Sequence, residues 1–544
     1  MFSCFMERSR LNIMDHNKKE RLCIFCSCLI SLIFILLIFS PENVDPANTN
    51  WVKNGGGDNL QHYLGWRFYR ESPWNRYLLF MRSLNYPVGT SVIVTDSNPL
   101  FCLFFKLIRS ILPEDFQFNG IWILLSYVLT AFFAAKISWK LTGNFLLSLV
   151  SAIIAVLNPV ILQRAIIHDT LTAHWIILFG IFLILHDDSG WNPAGWFVIA
   201  ETALLVHFYF IPMLTFILVL QAVHMIIKKR TFLQIIIPVI VFTASIILGY
   251  YIFGYNHILP QSGSFGELSM NLNAFINPDS VPALLRPRPR ISLQYEGFNY
   301  FGLGLIGLLI IGLSVSCRSL IKTSLPYLLP AAGLILIAAS NIGYFDKKLI
   351  YQINLPEKLI SVLSVFRSSG RLVWPLYYLV LFTVIYTLAQ SVNKKQMMGV
   401  LIHILAVICA VLQCYDLHEF HSDTAERFRS PGNLLPSLSA EFYDSIPEEI
   451  RHIYCSDGDS KMKDAIALFA AEHKMTFNRS ANAREIEHIY GGDLLAMEDL
   501  TCDMIGRDSV YIYLAPDMIP SELDKCDGVR IIRDKEWNII RAEE

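Results

Sequence analysis

Apolar positions along this chain come in runs long enough to cross a bilayer, which takes about 17 to 25 helical residues. After a polar stretch at 1–21, the first run is Leu22–Ser40. Further runs fall at roughly 119–138, 144–161, 171–186, 195–211, 213–227, 232–253, 301–316, 325–341, 372–390 and 398–415. Together they predict about eleven transmembrane helices. The pair around Pro212 is short and is also compatible with one broken re-entrant unit. Leu100–Leu112 is apolar, but it is too short to span and is interrupted by Lys106 and Arg109, which suits an interfacial helix.

The pattern changes at 417. Charge rises and the apolar runs shorten to strand length at His452–Cys455, Val510–Ala515, Val529–Ile532 and Trp537–Arg541. Between them Lys461–His473 has helical periodicity. The expected fold is an α-helical polytopic membrane protein: a cytoplasmic 1–21, a transmembrane domain 22–416 with a large first outer loop 41–118, and a small extracytoplasmic α/β domain 417–544.

Composition supports a membrane chain. It is 54% hydrophobic, 13% aromatic and only 17% charged, with a mean hydropathy of +0.44, where soluble chains are about a quarter charged. A net charge of -2 gives no reason to expect a nucleic-acid partner. The lipid bilayer is the expected environment.

The first run could be a signal peptide, but it is long and no small-residue cleavage pattern follows it, so it reads as a retained helix. Its flank, Lys18-Lys19-Glu20-Arg21, places the N-terminus in the cytoplasm. Lys136 and Lys140, Lys228-Lys229-Arg230, Arg318 and Lys322, and Lys394-Lys395 then fall on that same side. The loops 41–118, 162–170, 254–300 and 342–371, the turn near His207 and the C-terminal region fall on the other. Of the 11 cysteines, Cys23, Cys26 and Cys28 sit in the first run, where small buried side chains are a better reading than a zinc site. Cys455, Cys502 and Cys526 are an odd C-terminal set and imply no complete disulfide framework.

Candidate chemistry gathers on the outer side. In Gly55-Gly56-Gly57-Asp58-Asn59-Leu60-Gln61-His62, the glycines free the backbone and Asp58 sits where a helix N-cap would. His62 is then four residues on, sharing a face with Asp58. A capped glycine turn is the plainer reading, and a carboxylate–imidazole pair is the functional one. Asp96, in Thr95-Asp96-Ser97-Asn98-Pro99, is a turn former or a second catalytic acid. Arg164, His168 and Asp169 crowd a very short loop, with His174 one turn further on. His207 lies at a helix end before Pro212, where capping or packing is the first expectation. Glu296 precedes one span, and Arg367-Ser368-Ser369-Gly370-Arg371 precedes another. Two arginines around a helix N-terminus suit a phosphate.

The ordered motifs GGGDNLQHYLGWRFYR, TDSNP, QYEGFNYFGLG and FRSSGRLVWP resemble an uncharacterised bacterial family of polytopic membrane proteins related to GT-C-type glycosyltransferases. The resemblance covers roughly residues 50–380. It implies transfer of a sugar from a polyprenyl-phosphate-linked donor to an extracytoplasmic glycan, lipid or protein acceptor, in the cell envelope at the bacterial inner membrane. An acidic residue in the first outer loop is typical of that superfamily, and Asp58 matches its position, with Asp96 as the candidate second acid. A compact DxD is absent, which leaves open the divalent metal, Mg or Mn, used by some members.

The expected roles are Asp58 as general base, His62 orienting it, and Arg367 and Arg371 on the donor phosphate. Arg164, His168, Asp169 and His207 are further candidates for substrate contacts, and Glu296 for an additional acid. A transporter, flippase or non-catalytic assembly factor for lipid-linked saccharides is the alternative. It would call for ionisable residues near mid-membrane, whereas here the spans are almost free of charge.

Overall fold

The computed structural model describes residues 2–55, 57–186, 192–259, 265–392, 396–479, 482–491, 493–515 and 518–543. The orienting pair Lys394-Lys395 lies outside the described residues. The chain forms two compact units, the first made of Met1–Val44, Gly120–Leu248 and Pro260–Arg429 and the second of Asp45–Asn119, Gly249–Leu259 and Ser430–Glu544.

The first unit is helical. Among the described residues, eight helices are long and apolar enough to cross a membrane: His16–Phe39, Asn119–Thr142, Phe145–Ile167, Phe210–Ile227, Phe232–Ile252, Gly302–Ala339, Ser369–Val392 and Met397–Asp416. The eleven runs in the sequence exceed this for two reasons. Asp169–Leu185 and Pro193–Val206 are apolar but short. The runs 301–316 and 325–341 share the single segment Gly302–Ala339, which leaves helical geometry at Ser316. Phe145–Ile167 and Ser369–Val392 are the most enclosed spans, and Phe232–Ile252 and Gly302–Ala339 are among the least.

Helix starts follow from local chemistry. Asn144, Asn158 and Asn192 each accept a hydrogen bond from a backbone N–H of the first turn, and the last two are followed by proline at the first helical position. The helix beginning at Gly302 is capped from afar. Asp416, buried at the end of Met397–Asp416, accepts from Leu303 N at 2.9 Å and from Tyr300 Oη at 2.8 Å. Gln413 accepts from Gly304 N at 2.8 Å. Gly302 has φ +78°, and a Cβ there would lie 2.1 Å from the Gln413 amide, so only glycine fits.

The second unit holds a five-stranded sheet. His452–Cys455 runs parallel to Thr476–Phe477 on one side and to Ser509–Tyr513 on the other. Asn538–Ala542 is antiparallel to Ser509–Tyr513, and Val529–Arg533 closes the order as an edge. The helix Ser460–Glu472 starts at Asp459, whose carboxylate accepts from Met462 N. Thr476–Phe477 escapes sequence reading because two residues carry no period.

The 45–119 stretch and the C-terminal residues, separate domains on sequence reading, share this unit. Phe477 N donates to Ser83 O at 2.8 Å and Tyr86 N to Phe477 O at 3.0 Å. These bonds continue the edge strand instead of leaving its donors bare. Tyr86 stacks on His452 at 4.4 Å, and Asn75 Nδ2 donates to Tyr490 Oη. Cys502 and Cys526 form a disulfide while Cys455 stays buried and reduced, so an odd count conceals one complete bond. Pro99–Leu107 is a helix, with Phe104 and Leu107 exposed and Lys106 buried beneath the Tyr69 and Trp74 rings.

Candidate functional site

In the first unit, three residues from distant stretches meet in the protein interior. Arg164 lies in the last turn of the helix Pro159–Ile167, whose start is set by Asn158 and Pro159. Glu296 lies in the short 3-10 segment Ser292–Gly297, and Arg371 in the 3-10 turn Ser369–Val373 that leads into Trp374–Val392. Arg371 grips the carboxylate with two donors, Nε to Oε2 at 2.8 Å and Nη2 to Oε1 at 2.7 Å. Arg164 Nη1 reaches Oε2 at 3.0 Å. The side chains of Arg164, Glu296 and Arg371 are 0%, 5% and 7% exposed.

Two glycines make this approach possible. A Cβ on Gly370 would lie 2.5 Å from the Cα of Gly297, and one on Gly297 would lie 2.3 Å from Ser269 O. Asn299 Nδ2 donates to Gly297 O and Gly370 O, each at 2.9 Å, pinning the two turns together. The QYEGFN and FRSSGR motifs are thus two halves of one structure.

Aromatic rings wall the cluster. The Arg371 guanidinium lies over Tyr209 at 5.1 Å, and that of Arg164 over Trp374 at 5.6 Å. Tyr209 Oη accepts from Ser368 N, and Tyr209 N donates to His207 Nδ1, so His207 shapes this turn. Behind Trp374, His174 stacks on the indole at 4.7 Å and its Nδ1 meets Tyr378 Oη at 2.8 Å.

Burial by itself pushes the Glu296 carboxyl up, but the charges of Arg371 and Arg164, helped by His168, outweigh it and hold the group well below the ordinary range. The direction favours the carboxylate, the form that balances the two arginine charges.

The arginine pairing also differs from expectation. Arg371 shares an anion with Arg164, whereas Arg367 is half-buried beside the Phe366–Phe208 stack. Three backbone N–H groups at the Ser-Ser-Gly turn are already engaged: Ser368 N donates to Tyr209 Oη, Gly370 N to Leu268 O and Arg371 N to Ser368 O. Asp169 is buried, its carboxylate accepting from Thr170 N and its carbonyl from Trp122 Nε1. His168 is half-buried at the turn between them. Tyr209, Trp374 and Tyr378 were missed as site residues because aromatic residues in apolar runs look like ordinary core.

The second unit carries a separate set. The helix Gly57–Glu71 places Asp58 in its first turn, just inside the cap position expected for it. Asp58 is half-buried and His62 fully buried. Gly65 continues their face, and a Cβ there would lie 2.1 Å from Ser97 Oγ and 2.4 Å from Thr95 Oγ1. The missing side chain lets the TDSNP turn sit directly on the helix. In that turn Asp96 and Asn98 have φ +54° and +52°, a conformation that aspartate and asparagine tolerate best among residues with a Cβ. Asn98 Oδ1 accepts from Phe101 N to start the helix at Pro99.

The result brings a ring nitrogen of His62 and a carboxylate oxygen of Asp96 within 4.8 Å. His62 thus has Asp96 as a close acidic neighbour in this unit, besides sharing a helix face with Asp58. A nitrogen and an oxygen ligand atom within this separation fit part of a divalent-cation shell, and one bridging water would link them for proton transfer.

Residues 28–418 match a family model described as a domain of unknown function (DUF6311). No curated protein matches the chain.

Proposed function

Because the chain belongs to the DUF6311 family, whose description names no activity, we propose from its residues that it is a membrane glycosyltransferase. It takes a sugar from a polyprenyl-phosphate-linked donor on the extracytoplasmic side and passes it to a glycan, lipid or protein acceptor. The observation that carries this reading is the buried Arg164–Glu296–Arg371 cluster. Arg371 already presents its fork to a two-oxygen anion, which is the geometry a phosphate needs. Within the cluster the two arginines face the single carboxylate of Glu296, so a further anion is electrostatically welcome.

In the reaction, an acceptor hydroxyl attacks the anomeric carbon and the bond from that carbon to the phosphate oxygen breaks. The lipid phosphate leaves with the electron pair, and its growing charge is what arginines at such a site stabilise. The hydroxyl proton goes to a carboxylate. Asp58 and Asp96 are the second unit's candidates for it, with His62 beside Asp96. A divalent cation, where the reaction uses one, would draw on His62 and Asp96.

Topology supports the extracytoplasmic assignment. Asp45–Asn119, Gly249–Leu259 and Ser430–Glu544 form one compact unit, so the chain crosses the membrane an even number of times between them. On this reading Gly302–Ala339 crosses twice between Leu259 and Ser430. If Asp169–Leu185 and Pro193–Val206 also cross, the total is the eleven expected from hydropathy, with the N-terminus on the basic, cytoplasmic side. The Cys502–Cys526 disulfide suits an oxidising, extracytoplasmic compartment for this unit.

The test is in cells. Asp58→Asn, Asp96→Asn and Arg371→Lys variants, each checked for expression and membrane insertion, are expected to lose a surface glycan and accumulate its lipid-linked precursor. Intact glycan in all three overturns the proposal. Loss of the glycan with the precursor trapped on the cytoplasmic side instead identifies a flippase.

A further inference from the structure

Away from the arginine cluster, the first unit encloses a cavity of about 570 Å³, within the size range of ligand sites. Its wall is almost wholly apolar, with Leu141, Ile181, Leu220, Leu320, Ala331 and Leu376 contributed by different helices. The helix Gly302–Ser324, which leaves helical geometry at Ser316, contributes Leu309 before that break and Leu320 after it. Ile227 and Leu328, on the wall, are each 51% exposed and mark its open side. Its polar side chains include His224 and Tyr327, joined by a hydrogen bond between His224 Nδ1 and Tyr327 Oη at 3.0 Å, and Thr323, Ser324 and Thr383.

The rim is basic. Lys140, Lys228 and Lys322 are exposed, and each adjoins a lining residue in sequence: Leu141, Ile227 and Thr323. Lys229, Arg230 and Arg318 lie in the same connections. An apolar chamber between membrane helices with a lysine-rich rim has the two-part chemistry of an anionic lipid, tail inside and headgroup at the lysines.

We propose that this cavity holds an acyl chain of an anionic phospholipid drawn from the leaflet on the basic side. The site is independent of the arginine cluster and of the glycosyltransferase reading. The lysines select the headgroup and the chamber takes the chain, so the two features are separable by mutation.

The experiment uses the full chain purified in detergent and phosphatidylglycerol carrying a diazirine in its acyl chain. Photolabelled peptides are expected from 220–227, 320–331 and 376–386. Unlabelled phosphatidylglycerol should compete at concentrations where phosphatidylcholine does not. Ala331→Trp, which fills the chamber, should cut labelling about tenfold or more, and a Lys140→Gln, Lys228→Gln, Lys322→Gln triple variant should lose about tenfold or more of the preference for phosphatidylglycerol. Equal competition by phosphatidylcholine, labelling confined to peptides outside the cavity, or a triple variant with undiminished preference overturns the proposal. Stronger labelling by a diazirine polyprenyl phosphate than by phosphatidylglycerol also overturns it, in favour of a carrier-lipid tail.

Discussion

Replacing Glu296 by glutamine removes one charge and one acceptor from the most enclosed ionic cluster described in this protein. The carboxylate serves three donors at 2.7, 2.8 and 3.0 Å, from groups no more than 7% exposed. Glutamine has a single acceptor oxygen. If that oxygen takes the Oε2 position, Arg371 Nε and Arg164 Nη1 keep a partner, but the amide NH2 then faces Arg371 Nη2, donor against donor. Two buried guanidinium groups also lose their counter-charge. Breaking a buried pair in this way costs about 3–5 kcal/mol, a large part of the roughly 5–15 kcal/mol that holds a typical fold. For a unit of this size that corresponds to a fall in Tm of about 4–7 °C. Cys23 and Cys409 are buried in the first unit, so a thiol-reactive dye added during a thermal ramp in detergent reports its unfolding. Glu296→Gln should unfold earlier by that margin, and Glu296→Gln combined with Arg371→Gln should recover part of the loss, because the second change removes a stranded charge. A Glu296→Gln variant within about 1 °C of the wild type, or a double variant worse than the sum of the singles, would refute the reasoning.

Three other outcomes follow from the second unit. Gly65→Ala pushes a Cβ into Ser97 and Thr95, an overpacking worth about 1–3 kcal/mol; it should displace Asp96, and glycan transfer in cells should fall while protein level holds. Cys502→Ser opens a disulfide whose partners are 24 residues apart, which should cost about 3 kcal/mol and expose the C-terminal region to limited proteolysis. Burial raises the Asp464 carboxyl from 3.8 to about 6, so the folded state binds its proton more tightly and the destabilisation is complete only above about 6. Asp464→Asn should therefore stabilise this unit at pH 7.5 and not near pH 4, as read from protease resistance at the two pH values.

Much of the frame was legible because hydropathy is local. Each spanning helix announces itself by length and composition, and Asn158-Pro159 and Asn192-Pro193 mark helix starts in plain view. Which polar groups meet was not legible. Arg164 is 132 residues from Glu296, and Arg371 a further 75. Nothing in either stretch shows that Gly297 and Gly370 touch. Arg367 and Arg371 looked like a pair because they are close in sequence, but the partner with which Arg371 shares Glu296 is Arg164. Asp58 and His62 share a helix face by spacing alone. Asp96 reaches His62 through the absence of a side chain at Gly65, and no periodicity reports that. The 45–119 stretch joins the C-terminal sheet through backbone bonds at Ser83–Tyr86, a partnership between segments almost 400 residues apart that no local pattern encodes.

The most direct test of the glycosyltransferase claim is to incubate the purified chain with a polyprenyl phosphate bearing a radiolabelled sugar, together with an extract of acceptor glycans, lipids and proteins. The account predicts that label moves to an acceptor while free polyprenyl phosphate accumulates, and that Asp58→Asn or Asp96→Asn slows this by about 10²–10⁴-fold. Donor that stays intact with the wild-type chain, or that is carried across a vesicle membrane without losing its sugar, would contradict it.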